Sequence, residues 1–133
     1  MHREIIHVSR QGDRAANQDR CLAVERAGGA LLLLADGMGG HPRGELAAQV
    51  FIDSMARQFK GAAVPLAKPG EFLRYSIEQS HHDIVTAGRQ QNPPVEPRTT
   101  AVACLLQDRQ ACWAHVGDSR LYLIRDGTVV TRT

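Results

Sequence analysis

The stretch LLLLADGMGGHPRGELAAQ, residues 31–49, joins two segments that must fold differently. Its unalternating Leu31–Leu34 run predicts a β-strand that is covered on both faces. From Gly44 the apolar residues recur about every fourth position, which predicts an amphipathic α-helix whose buried side carries Ala47, Phe51, Met55 and Phe59. The chain therefore passes from strand to helix through an aspartate, three glycines and a histidine, as if a bare backbone and a carboxylate were needed there.

The rest of the pattern predicts strands, then two helices, then strands. A second helix is expected over about Pro69 to Ala87, and Gly88 is its expected stop. Short turns between neighbouring strands favour antiparallel pairing, and this order is typical of an α+β fold and not of alternating βαβ units. The predicted strands are Glu4 to Ser9, Arg20 to Arg26, Ala30 to Ala35, and residues 99–106, 111–116, 121–125 and 128–133.

Length and composition restrict the function classes. With 133 residues, 43% of them hydrophobic, residues 1–133 are expected to form a single unit with a real core. The 16 Lys and Arg residues are scattered among 14 Asp and Glu residues, which argues against nucleic acid as the main partner. The longest apolar run, Ala30 to Ala35, is far below the roughly 18 residues of a membrane helix, and no apolar signal-peptide core precedes it. We therefore expect a cytoplasmic protein without a membrane-spanning segment.

Asp36 is the first candidate for chemistry. It ends a buried strand, where its backbone is fixed but its carboxylate can reach the surface. Because Gly37 and the glycines after it allow close backbone approach, a carbonyl oxygen could face the same ligand. Hard cations such as Mg²⁺ and Mn²⁺ prefer that mixture of oxygens. The alternative is a glycine-rich strand-to-helix turn in which the aspartate is only a helix cap.

Two polar stretches could contribute to the same site. The stretch GDRAANQDR supplies Arg14, whose guanidinium suits bidentate phosphate binding, and Asp19, which could join the surroundings of a metal ion. In HVGDSR, a strand ends in Gly117 and Asp118, so a further carboxylate emerges at a strand end. Each stretch alone could equally be a solvent-facing loop or a simple turn.

Taken together, four ordered stretches resemble the metal-dependent Ser/Thr protein phosphatases of the type 2C family, especially the bacterial form. They are RAANQDR, ADGMGGHPRGELAA, TTAVACLL and VGDSRLYLIRDG, and they extend over nearly the whole chain. The resemblance implies an αββα sandwich of two mainly antiparallel sheets flanked by helices, with a metal centre at one end. It also implies hydrolysis of phosphoserine or phosphothreonine in proteins, which could be targets of a bacterial Ser/Thr kinase or the kinase itself.

The resemblance assigns four residues to a centre of two Mg²⁺ or Mn²⁺ ions, with a third, weaker ion possible. Asp36 would bridge two ions, and Gly37 would contribute its carbonyl oxygen. Asp19 would support a metal through water, and Asp118 would correspond to the aspartate at the third position. The resemblance implies that a water activated by such metals would attack phosphorus in line, without a covalent enzyme intermediate.

Two further residues are assigned to the substrate side of this reaction. Arg14 would hold the substrate phosphate and, with the cations, neutralise the charge that develops on it. His41 would match the histidine of the bacterial motif near the leaving group, where a proton is delivered to the Ser or Thr oxygen through the histidine or water.

The sequence departs from the family pattern in two places. Arg98 precedes Thr99 where a glycine is common, which could alter how the following strand begins. The family's later Asp-Gly and Asp-Asn motifs, which provide further metal-binding aspartates, would lie beyond Thr133. Asp126-Gly127 is not a replacement for them, because its position between two predicted strands indicates a hairpin turn. The fold is therefore expected to be incomplete at the C-terminus.

An incomplete fold has two consequences. It would leave sheet edges unpaired, so we expect a dimer through those edges or an aggregation-prone chain. It also keeps two alternatives open, a shortened type 2C-like module that binds or regulates a partner without catalysis, and a split enzyme completed by another chain.

Overall fold

The computed structural model describes residues 2–133 and contains two antiparallel sheets and two helices. The first sheet has four strands in the order β1-β2-β3-β4, and the second is the hairpin β5-β6. The expected α+β class is thereby confirmed. The elements in chain order are β1 Asp19–Arg26, β2 Gly29–Asp36, α1 Gly44–Gly61, α2 Pro69–Arg89, β3 Ala101–Gln107, β4 Gln110–Val116, β5 Tyr122–Arg125 and β6 Thr128–Arg132.

Both helices pack on one face of the four-stranded sheet. Because side chains alternate along a strand, Leu31 and Leu33 of β2 point to the same face as Ala103 and Leu105 of β3 and join one apolar cluster with the helices. The predicted buried stripe of α1 is confirmed, since all four of its residues, Ala47, Phe51, Met55 and Phe59, are buried. The core thus lies between α1, α2 and this face, and it fixes the strand ends beside which the candidate residues lie.

One predicted strand is absent, and one predicted helix end was wrong. Residues Glu4–Ser9 form no strand, and Ile6 and Val8 are 77% and 74% exposed, because no strand within residues 2–133 pairs with this segment. Helix α2 continues through Gly88 to Arg89. A side chain at Gly88 would come within 2.6 Å of Pro97 Cδ, so this glycine permits a close contact with the following loop and does not end the helix.

The last hairpin confirms the interpretation of Asp126-Gly127 as a turn. Both residues have positive φ, 50° and 73°, and they connect β5 to β6.

Arg98 does not disturb the strand after it, because β3 begins only at Ala101 and the backbone carbonyl of Arg98 is used in a hydrogen bond that any residue could make. Neither helix of residues 2–133 has the length and apolarity needed to cross a lipid bilayer.

Candidate functional site

Strand register places two of the predicted carboxylates opposite each other. In the antiparallel pair β1-β2, Asp19 at the start of β1 faces Asp36 at the end of β2. The following residue extends this contact, because the Gly37 N–H donates to the carbonyl of Gln18 over 3.1 Å. The spacing of the two aspartates is thus set by the backbone ladder that the buried leucines of β2 anchor in the core.

The glycines after Asp36 allow two backbone segments to touch. A Cβ added to Gly37 would lie 2.8 Å from the Gln18 carbonyl oxygen and would overlap the backbone of Gly44, the first residue of α1. A Cβ added to Gly44 would in turn lie 2.9 Å from backbone atoms of Gly37 and Met38. The helix is preceded by Arg43 in the left-handed region and receives no side-chain cap, so the interpretation of Asp36 as a helix cap was wrong.

Thr100 connects Asp36 to the loop that carries Asp118. The N–H of Asp36 donates to Thr100 Oγ1 over 3.0 Å, and the N–H of Thr100 donates to the Asp36 carbonyl over 2.9 Å. The same hydroxyl shares a hydrogen bond of 2.6 Å with Ser119 Oγ. Thr100 is only 3% exposed, so the bond is shielded from water and holds the two carboxylate-bearing segments together.

Five of the six predicted site residues line one cavity. It has a volume of about 490 Å³ and is bounded by the loop before β1, the β2 end and the 117–119 loop. The predicted residues that line it are Arg14, Asp19, Asp36, Gly37 and Asp118, together with Thr100, which the sequence analysis missed. His41 is half-buried in the turn after Met38, where its N–H donates to the Met38 carbonyl over 3.0 Å, and it is not part of the cavity lining.

The cavity places the carboxyl groups of Asp19 and Asp118 near that of Asp36. Although this residue is solvent-exposed, neighbouring atoms partly desolvate its carboxyl group, and this desolvation is the main cause that raises the pKa of Asp36 above its ordinary value. A hydrogen bond with the Asp19 carboxyl group and the negative charges of Asp19 and Asp118 raise the pKa of Asp36 further, while the Arg14 guanidinium acts against them. A cation bound here would therefore relieve repulsion between carboxylates that the fold holds close together.

The donor set fits one side of a hard-cation site. Within residues 2–133, no three histidine, cysteine, aspartate or glutamate side chains converge closely enough to hold a metal ion by themselves. Mg²⁺, however, is commonly bound through one or two carboxylates, with water and substrate phosphate completing its six ligands. Asp19 and Asp36 provide such a pair, and the Gly37 backbone lines the same cavity.

We expect Thr100→Val to lower the free energy of unfolding by about 1–3 kcal/mol, because the Asp36 N–H loses its hydroxyl acceptor while the side-chain volume is kept. Thr100→Ser, which retains the hydroxyl, should lose less. Urea unfolding followed by circular dichroism measures both, with Thr128→Val on the exposed β6 strand as the matched control. Equal stability of the Val variant and its control would show that the bond does not stabilise this corner.

Comparisons with known proteins identify a family and solved structures to which this chain is similar. The family described as protein phosphatase 2C matches residues 8–132. The chain is 35% identical over 124 residues to the serine/threonine protein phosphatase PstP of Mycobacterium tuberculosis. The matched region covers 90% of this chain and 22% of PstP. The PstP catalytic domain solved in complex with two manganese ions superposes with a TM-score of 0.73 at 34% identity, covering 89% of this chain and 50% of that structure.

The serine/threonine phosphatase Stp1 of Staphylococcus aureus gives a TM-score of 0.80 at 27% identity, again over 89% of this chain and 47% of that structure. The chain thus spans about half of each of these two solved structures and about a fifth of the full PstP sequence.

Proposed function

The chain belongs to the protein phosphatase 2C family, and from this membership we propose that it forms the N-terminal part of a cytoplasmic enzyme that hydrolyses phosphoserine and phosphothreonine in proteins. Residues 1–133 would contribute one part of a single catalytic domain. The observation that carries the proposal is the Asp19–Asp36 pair, which faces the same cavity as Arg14 and Asp118. Phosphorylated proteins are its proposed partners, among them the targets of a Ser/Thr kinase or the kinase itself.

The acidic residues of the cavity would hold the metal ions. Asp36 and Asp19 would offer carboxylate oxygens, Gly37 its carbonyl oxygen, and Asp118 a further carboxylate at a more weakly held position. When bound, Mg²⁺ or Mn²⁺ supplies Lewis acidity that makes water a nucleophile at neutral pH. The site would hold two such ions, with a third possible. The chain's own contribution is to keep these oxygens on one side of the cavity through strand pairing and the Thr100 hydrogen bonds.

Arg14 would bind the substrate phosphate. Its side chain is exposed at the cavity, and its positive charge is the one influence that lowers the pKa of Asp36, although it is weaker than those that raise it. The loop is held in part by Gln11, whose side-chain amide donates to the Arg14 carbonyl over 2.7 Å. A guanidinium placed there can donate two parallel N–H bonds to phosphate oxygens and stabilise the charge that develops on them.

Protonation of the departing Ser or Thr oxygen is the remaining step, and His41 is our candidate for it. The support for this role is the position of His41 in the ADGMGGH stretch. The cavity geometry gives no support, because His41 is not among the residues that line the cavity. Water is the other proton source that the open cavity would admit.

The test is hydrolysis of a phosphothreonine peptide by this chain with Mn²⁺ and with excess EDTA. We expect turnover only with Mn²⁺, and we expect Arg14→Ala to raise the KM about tenfold or more, since a bond between charged partners contributes about 1.5–3 kcal/mol. Arg109→Ala, an exposed arginine in the β3-β4 turn, is the matched control. Unchanged kinetics of the Arg14 variant would remove this residue from the site.

A second candidate is a binding module that recognises phosphorylated partners without hydrolysing them, either alone or as half of a split enzyme completed by another chain. It is favoured by the lack, within residues 2–133, of three convergent metal-ligating side chains. Tight binding of the phosphothreonine peptide without Mn²⁺-dependent turnover would select this candidate. Activity that appears on mixing with a C-terminal fragment rich in aspartate would select the split enzyme.

We also propose self-association through the free sheet edges. Strands β1 and β4 are the edges of the four-stranded sheet, and unpaired edges offer N–H and C=O groups to a second copy. Light scattering should report a dimer, and a monodisperse monomer would contradict the proposal.

A further inference from the structure

A second cavity lies beside the candidate site, between the C-terminal half of α2 and the loop of residues 94–99. Its volume is about 700 Å³, and we refer to it as the α2 groove. Its floor is apolar and includes Ile84 and Val85 of α2 and Val95 and Pro97 of the loop. A groove of this size can accept several side chains of an extended peptide.

The α2 groove adjoins the candidate site directly. Met38 lines both cavities, and this residue is 37% exposed. Its N–H donates to the Arg98 carbonyl over 2.9 Å, and Gly37 forms an isolated β-bridge with Thr99. The wall of the groove and the loop that follows Asp36 are therefore parts of one hydrogen-bonded unit.

The groove is formed in advance of any ligand. The Val95 N–H donates to the Gly88 carbonyl over 3.0 Å, and Pro97 packs directly on Gly88, where only a glycine fits. Prolines at positions 93, 94 and 97 further restrict the loop. A ligand bound here would meet a wall that is already ordered, which reduces the entropy lost on binding.

The charges around the groove are predominantly basic. Arg98 lies 3.9 Å from Glu96, the acidic residue of the lining, so these two charges largely offset each other. Arg89 is exposed in the last turn of α2 and forms no ion pair within residues 2–133. His81 adds a further nitrogen donor to the lining. An apolar floor beside an unneutralised guanidinium complements a peptide that carries both an apolar and an acidic side chain.

We propose that the α2 groove docks the segment of the phosphoprotein next to the phosphorylated residue, and that it selects segments in which an apolar side chain is accompanied by an acidic one. The proposal rests on the proposed function, because it takes the phosphate to lie in the adjoining cavity. Arg89 contacts the acidic side chain, and the apolar side chain lies on Ile84, Val85 and Val95.

The test is fluorescence anisotropy of labelled phosphothreonine peptides with the metal-free chain, which prevents turnover. One peptide carries Glu-Leu on both sides of the phosphothreonine, and its partner carries Lys-Leu. We expect the Glu peptide to bind more tightly to the unaltered chain, and we expect Arg89→Glu to weaken it about fivefold. The control is Lys60→Glu, because Lys60 is also exposed in the last turn of a helix and lies outside the groove.

Charge reversal gives the decisive comparison. We expect the Arg89→Glu variant to bind the Lys peptide more tightly than the unaltered chain does. If only the overall positive charge mattered, Arg89→Glu and Lys60→Glu would weaken the binding of every phosphopeptide equally. Equal losses, or no preference of the unaltered chain for the Glu peptide, would overturn the proposal. Mn²⁺-dependent hydrolysis of p-nitrophenyl phosphate by the unaltered chain tests the proposed function separately, since this small compound has no flanking segment to dock.

Discussion

We expect Asp36→Asn to weaken Mn²⁺ binding by at least about a hundredfold and to reduce turnover of a phosphothreonine peptide by about three orders of magnitude, equivalent to roughly 4 kcal/mol. Asn keeps the shape of the side chain but removes the charge that faces Asp19 and Arg14. Its backbone hydrogen bonds with Thr100 are unaffected, so the fold should remain intact. Isothermal titration with Mn²⁺ measures the binding, and circular dichroism checks the fold.

Asp126→Asn is the matched control for this experiment. Asp126 is an exposed aspartate in the β5-β6 turn, with a φ of 50° that asparagine adopts readily. The Asp126→Asn variant should bind Mn²⁺ with the same affinity as the unaltered chain. Retained Mn²⁺ affinity in Asp36→Asn would show that Asp36 is not a metal ligand, even if turnover fell.

The second large effect is expected for Gly37→Ala. The added methyl group would lie 2.8 Å from the Gln18 carbonyl oxygen and would overlap the backbone of Gly44, so the strand end and the helix start must separate. Overpacking of this kind costs about 1–3 kcal/mol, and more where backbone atoms must move. Urea unfolding should therefore show a lower midpoint, and Mn²⁺ affinity should fall because Asp36 shifts with its neighbour.

Gly70→Ala is the control for this second change. No atom lies within 4 Å of the added methyl group at Gly70, near the start of α2, and alanine favours the helix by up to about 1 kcal/mol. Its unfolding midpoint should rise or stay unchanged. If Gly37→Ala unfolded at the midpoint of Gly70→Ala, the close contact between the strand end and α1 would not be a constraint on the fold.

The sequence was sufficient to predict those parts of the site that depend on local periodicity. The leucine run placed Asp36 at the end of a buried strand, and the spacing of apolar residues located the start of α1 at Gly44. The short turn between the second and third predicted strands, which are β1 and β2 of the structure, favoured antiparallel pairing, although the opposition of Asp19 and Asp36 depends on a register that only the structure defines. These are short-range rules, and they operate within about twenty residues of chain.

Contacts between distant segments could not be predicted in this way. The bond between Asp36 and the Thr100 hydroxyl joins residues 64 positions apart, and no periodicity marks a threonine that accepts from a backbone N–H. The adjacent threonines before β3 were the available signal, since hydroxyl side chains often satisfy backbone groups at the ends of elements. Gly88 was misjudged for the same reason, because the contact with Pro97 that requires a glycine is made by a later loop.

The opposition of Asp19 and Asp36 links ion binding to folding. These residues form the last pair of the β1-β2 ladder, where two like charges meet. An ion that binds only the folded chain shifts the folding equilibrium by mass action, adding about 2.7 kcal/mol when its concentration is a hundred times its Kd. Under the proposed chemistry, the melting temperature of this chain rises with the concentration of free divalent ions, whether or not the chain hydrolyses any phosphate.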